Sequence, residues 1–207
     1  LALATVREFP GNQVDAALAA ELKQVSPERA AWIIQAMADR PETVVLPAIL
    51  EAVEQNNKQL QASAIEALRR VGDESCLVSL LGVATGKDPD LRKVAKETLA
   101  ELPGDRVDDK IVAMLPTAKG LQYPVLLHLV AQRRIDAVPQ VVRALDSQDA
   151  IVRQAALVAL GQTVSLDRLS LLVTSVTAPR HSEDSEIARQ SLRAACVRMP
   201  DREACAS

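Results

Sequence analysis

One helical stripe recurs along this chain about every 31 residues, and no other feature restricts the possible folds as much. LQASAIEAL (60–68), LRKVAKETL (91–99), LQYPVLLHL (121–129), VRQAALVAL (152–160) and ARQSLRAAC (188–196) start 31, 30, 31 and 36 residues apart. RAAWIIQAM (29–37) precedes the first by another 31. Counted from each start as zero, positions 0, 3, 4, 7 and 8 are largely apolar or small. Those positions share one face of a 3.6-residue helix. Between the stripes lie candidate partner helices at 43–55, 74–85, 105–115, 136–147 and 167–177. Pro47 and Pro139 each stand 13 residues before a stripe start, and near a helix start proline is tolerated because first-turn N–H groups lack partners anyway. Asp73, Asp105, Asp136 and Asp167 lie where N-caps or first-turn acids belong. The unit is a helical hairpin, and each hairpin needs neighbours to cover its apolar face.

A longer period overlies the first. REFPGNQVDAALAAEL (7–22) matches AELPGDRVDDKIVAML (100–115), aligning Val14 and Asp15 with Val107 and Asp108 at a shift of 93. RMPDREAC (198–205) reads as the opening of a third copy. The expectation is one domain over 1–207, made of superunits at about 9–101 and 102–198 with a third starting at 199. With no initiator Met and a copy cut off, the sequence reads as a segment of a longer repeat protein.

Composition supports an all-α chain. Hydrophobic residues make up 48%, chiefly Ala, Leu and Val, with one Trp, one Tyr and one Phe. Small apolar side chains suit close helix packing. The net charge of −3 offers no global basic field for a polyanion, and the apolar runs are far shorter than the roughly 20 residues of a membrane span.

VPQVVRALDSQDAIVRQAALVALG (138–161) and LPAILEAVEQNNKQLQASAIEALRRVGD (46–73) resemble the HEAT repeat. They share its proline in the first helix. The former also has Asp149 at the inter-helix turn and Arg153 opening the second helix, with Gln61 in that place in the latter and Arg92 and Arg189 in weaker copies. The superunit opening with Phe- or Leu-Pro-Gly and the later ACVRMPDREAC (195–205) are similar to the long HEAT-repeat proteins of planctomycetes and relatives. The resemblance implies a right-handed α-solenoid of about six antiparallel helix pairs, with the second helices lining a concave groove. The pattern specifies fold and not activity; the expected function is a non-catalytic protein-interaction or scaffolding module that takes a protein partner, and the alternative is an enzyme or enzyme subunit on the same fold, as in HEAT-type bilin lyases, or an accessory domain of a larger catalytic protein.

No catalytic, cofactor-binding or metal-ligating set emerges. His128 and His181 lack the adjacent acids of the iron-dependent hydroxylases of this fold. His128 reads as a packing residue and His181 as solvated. Trp32 and Tyr123 lie too far apart to form a stacking surface, which argues against nucleic acid as partner, and Trp32, at position 3, reads as core. Arg69–Arg70, Arg92–Lys93–Lys96 and Arg133–Arg134 fit either a ladder of inter-repeat ion pairs or an anionic-partner site. At position 6, expected to face the groove, the copies read Gln35, Glu66, Glu97, Leu127, Val158 and Ala194. That makes Tyr123, Leu127, Val130 and Val158 the candidate partner-binding cluster, unless curvature buries them.

Cys196 and Cys205 flank Pro200, close enough for the roughly 5–6 Å Cα separation a disulfide needs. Oxidised, the pair fits a periplasmic or exported protein; a buried Cys196 with a reduced Cys205 fits the cytoplasm.

Overall fold

The computed structural model describes residues 12–199. Twelve α-helices occur among the described residues, with no strand. They are α1 (Asn12–Glu21), α2 (Pro27–Ala38), α3 (Leu46–Val53), α4 (Lys58–Val71), α5 (Leu77–Ala84), α6 (Pro89–Glu101), α7 (Val107–Met114), α8 (Gln122–Arg133), α9 (Val138–Ala144), α10 (Ala150–Thr163), α11 (Ser170–Thr177) and α12 (Ser185–Arg198). Short 3₁₀ turns precede α5, α11 and α12 and follow α7.

Local chemistry sets the helix starts. Asn57 accepts the Leu60 N–H at 2.9 Å, Asp88 those of Asp90 and Leu91 at 2.9 and 3.1 Å, and Asp149 that of Ile151 at 2.9 Å. Each satisfies a first-turn donor with no intrahelical partner. Pro27, Pro47, Pro89 and Pro139 occupy the first helical positions, where no N–H is missed. Asp73 caps the 3₁₀ turn before α5 through Ser75.

Packing divides the described residues into two compact units, with the boundary between Val107 and Asp108. In the first unit α3 and α5 pack on α4 and α6, and the second helices contact in order, α2 on α4 and α4 on α6. In the second, α9 and α11 pack on α10 and α12, with α8 on α10 and α10 on α12. Ile34, Met37, Ile49, Ile65, Leu68 and Leu99 are among the fully buried side chains of the first core, Leu126 and Leu160 of the second.

Three described residues have positive φ: Gly104, Gly120 and Arg134. Gly104 turns the chain between α6 and α7 at φ +112°, a region that glycine enters freely, which explains the glycine after Pro103. Arg134, just past α8, adopts φ +54°. That left-handed cap satisfies the Ala131 and Val130 carbonyls, but a side chain there costs about 1 kcal/mol relative to glycine.

Helices α10 and α12 approach closely at Gly161, where an added Cβ would stand 2.8 Å from the Ser191 carbonyl oxygen and 3.0 Å from its Cα. Gly82, within α5, has nothing within 4 Å. The two should respond oppositely to alanine in urea unfolding. Gly161→Ala should destabilise by about 1–3 kcal/mol because α10 and α12 must separate, and Gly82→Ala should stabilise by about 0.5–1 kcal/mol.

Candidate functional site

Burial gives the true register of each second helix. Taking stripe starts at 29, 60, 91, 122, 152 and 187, positions 4 and 8 are buried in all six helices and position 7 in five. Two starts therefore shift by one residue from those expected, 121 to 122 and 188 to 187. A slip of one residue turns a helix face by about 100°, and it reassigns the candidate cluster. Leu127 and Val130 are fully buried, and Tyr123 and Val158 are half-buried. The exposed apolar cluster expected from Tyr123, Leu127, Val130 and Val158 is not present. His128, expected to pack inside, instead takes the outward position 6; it is exposed, with Nδ1 2.7 Å from the Pro124 carbonyl oxygen.

Trp32 is also outside the core, at 63% exposure, because α2 packs on α1 and α4 and neither covers its position 3. Cys196 falls at position 9, one past the stripe, and is half-buried instead of facing the core. Its pairing with Cys205 lies outside the described residues. Cys76 is buried, and burial raises its thiol pKa above the usual value.

Positions 6 and 10 stay out of the core in every second helix. In the first unit they hold Gln35, Glu66 and Glu97 at position 6 and Asp39, Arg70 and Glu101 at position 10. In the second they hold His128, Val158 and Arg193, then Gln132, Gln162 and Val197. The rows share a scaffold and differ in charge: four acids and one arginine against no acid, one arginine and one histidine. In the first unit Arg70 meets Asp39 at 2.5 Å and Arg69 meets Glu101 at 3.0 Å.

Other ion pairs hold hairpins together. Arg40 grips Asp15 with two bonds of 2.7 and 2.9 Å, both side chains buried. Arg133 binds Asp108 at 2.6 Å across the same 25-residue separation. Asp15 and Arg40 repeat as Asp108 and Arg133 at the superunit shift of 93, so the arginine halves were also legible. Arg153 opens α10 and reaches the next repeat, giving Nε to Asp184 at 2.6 Å, Nη2 to Glu183, and Nη1 to the Ser147 and Gln148 carbonyls at 3.1 Å. Gln61 does a smaller version, donating to the Val53 carbonyl at 2.8 Å. Arg189 departs from the ladder and pairs with Glu186 in its own helix.

The longer connection at 177–184 covers a cavity of about 230 Å³ lined by Val142, Leu157, Leu171, Arg153, His181 and Asp184 among others. His181 is half-buried there, not solvated as expected. The Arg153–Asp184 pair in its wall is already bonded within the protein. Among the described residues no three His, Cys, Asp or Glu side chains converge as metal ligands, and no helix is long and apolar enough to cross a membrane. No family model matches the chain, and no curated protein matches it either.

The Arg40 guanidinium beside Asp15 holds its carboxyl below the usual aspartate value, with Thr43 contributing a hydrogen bond and burial opposing. This stabilisation is complete above about pH 4, the unfolded aspartate value, and is lost as pH falls through the lower folded value. Asp15→Asn takes the carboxylate away from a buried guanidinium and should cost about 3 kcal/mol near neutral pH. Urea unfolding from neutral to acid pH should show the difference between wild type and variant shrinking as Asp15 protonates.

Proposed function

We propose that this chain is a non-catalytic protein-interaction module of HEAT type, an α-solenoid whose second helices present positions 6 and 10 to a protein partner. One observation carries the reading. Twelve outward positions escape burial in all six second helices while the apolar positions beneath them are almost all buried. Stability then rests on contacts between neighbouring helices, and the outward rows are free to take whatever chemistry a partner requires. Their composition supports this, since the first unit's row is acidic and the second unit's is not, on helices of matching register. Half-exposed helix faces of this kind bind through a few anchoring side chains surrounded by weaker contacts.

The test is a photo-cross-linker placed face by face. Glu66→p-benzoylphenylalanine and Val158→p-benzoylphenylalanine put the probe on the outward rows of α4 and α10. Val78, 65% exposed on α5, supplies a control on a first helix. In a lysate of the organism that makes the protein, the two row positions should give discrete protein adducts several-fold stronger than the control. Equal labelling from Val78, or none from either row position, would overturn the proposal.

A further inference from the structure

In the second unit a shallow groove of about 530 Å³ lies where α8, α10 and α12 end, lined by Arg134, Arg193, Arg198, Gln162, Gln190 and Val197 with Ala194. No carboxylate lines it. Arg198 is already engaged, donating to the Val164 carbonyl that follows α10. Arg134 and Arg193 have no ion-pair partner among the described residues. The acid that comes closest along α12, Glu186, is taken up by Arg189 at 2.7 Å and Gln190 at 2.9 Å.

We propose that this groove docks an acidic, extended segment of a partner protein, with Arg134 and Arg193 binding its carboxylates. The inference rests on the protein-interaction reading above and names the chemistry of one partner.

Three observations carry it independently of one another. First, the second unit lacks the acids that neutralise the first. Asp39, Glu97 and Glu101 stand at the same helix positions as Gln132, Arg193 and Val197. On the outward rows the first unit pairs Arg70 with Asp39, and the second leaves Arg193 with no acid beside it among the described residues. Second, Arg134 occupies a left-handed cap at φ +54°, a place glycine fills without strain. An arginine kept at a strained position is explained by what its guanidinium does, and a carboxylate is its best-matched ligand. Third, the rest of the lining suits a peptide. Gln162 offers amide donors and acceptors to main chain, and Val197, 71% exposed, offers an apolar contact. No aromatic side chain lines the groove, so it lacks the stacking platform by which single-stranded nucleic acid is held.

The experiment is fluorescence anisotropy on the whole chain, using a labelled peptide of alternating Glu and Leu-Ser steps. A peptide of the same length with Lys for Glu, and a labelled oligothymidine, run alongside. The acidic peptide should bind, and binding should weaken as ionic strength rises. Arg193→Glu should reduce affinity by about tenfold or more, as expected for a charge-assisted contact turned repulsive. Arg134→Gly is the more telling variant, because it should raise the melting temperature by relieving the cap while still weakening the peptide. Arg106→Gln, whose partner Glu74 lies in the first unit, should leave affinity unchanged. The proposal is overturned if the lysine peptide binds as well, if oligothymidine binds more tightly, or if Arg134→Gly and Arg193→Glu bind like wild type. It is also overturned if no peptide binds while the mass of the chain doubles with concentration, since a second copy would then occupy the groove. Cross-links from Glu66 that persist in any of these cases leave the broader interaction reading standing.

Discussion

Everything in this structure depends on the burial of three positions per second helix. Positions 4, 7 and 8 are nearly all buried, against the hairpin's own first helix and the neighbouring second helices. A lone hairpin of such length has one apolar stripe and no way to cover it. Ala, the commonest residue at these positions, gives little area by itself but lets helices approach closely, as at Gly161, where the backbone of Ser191 fills the place of a side chain. The caps and first-turn prolines only set where each helix starts. Packing between helices decides which residues are left over for other work.

That explains what the sequence made legible. The all-helical class, the six second helices and most of their ends follow from a stripe repeated with little variation. The candidate cluster failed for a reason of equal simplicity. LQYPVLLHL contains so many apolar residues that two registers look alike, and only the burial of Leu126, Leu129 and Val130 with exposure of His128 separates them. Trp32 failed for a different reason. Position 3 lies at the margin of the stripe, buried at Val125 and Ala155 and open at Trp32, so its fate depends on which helices flank it. No periodicity within one helix contains that information.

Ion pairs occupy an intermediate place between fold and function. Asp15–Arg40 and Asp108–Arg133 tie the first helix of a superunit to the end of its second, at one separation in both units. The second copy is much more exposed at its acid, with 44% of the Asp108 side chain accessible against none for Asp15. A buried pair must match its geometry closely to offset desolvation, whereas an exposed one contributes little. The same motif therefore acts as a strict constraint in one unit and a loose one in the other. The sequence shows the motif twice but not this difference, because solvent access is set by the surrounding helices.

The outward rows show the complementary freedom. If charge on these faces served stability alone, the two units would be expected to solve the same problem alike, as they do with the Asp–Arg staple. They do not. On these rows the first unit sets Arg70 against Asp39, and the second carries Arg193 with no acid in the row. Since the same helix positions are buried in both units, the fold cannot be what distinguishes the rows. A difference that the packing neither requires nor opposes is the part of the sequence available to a partner.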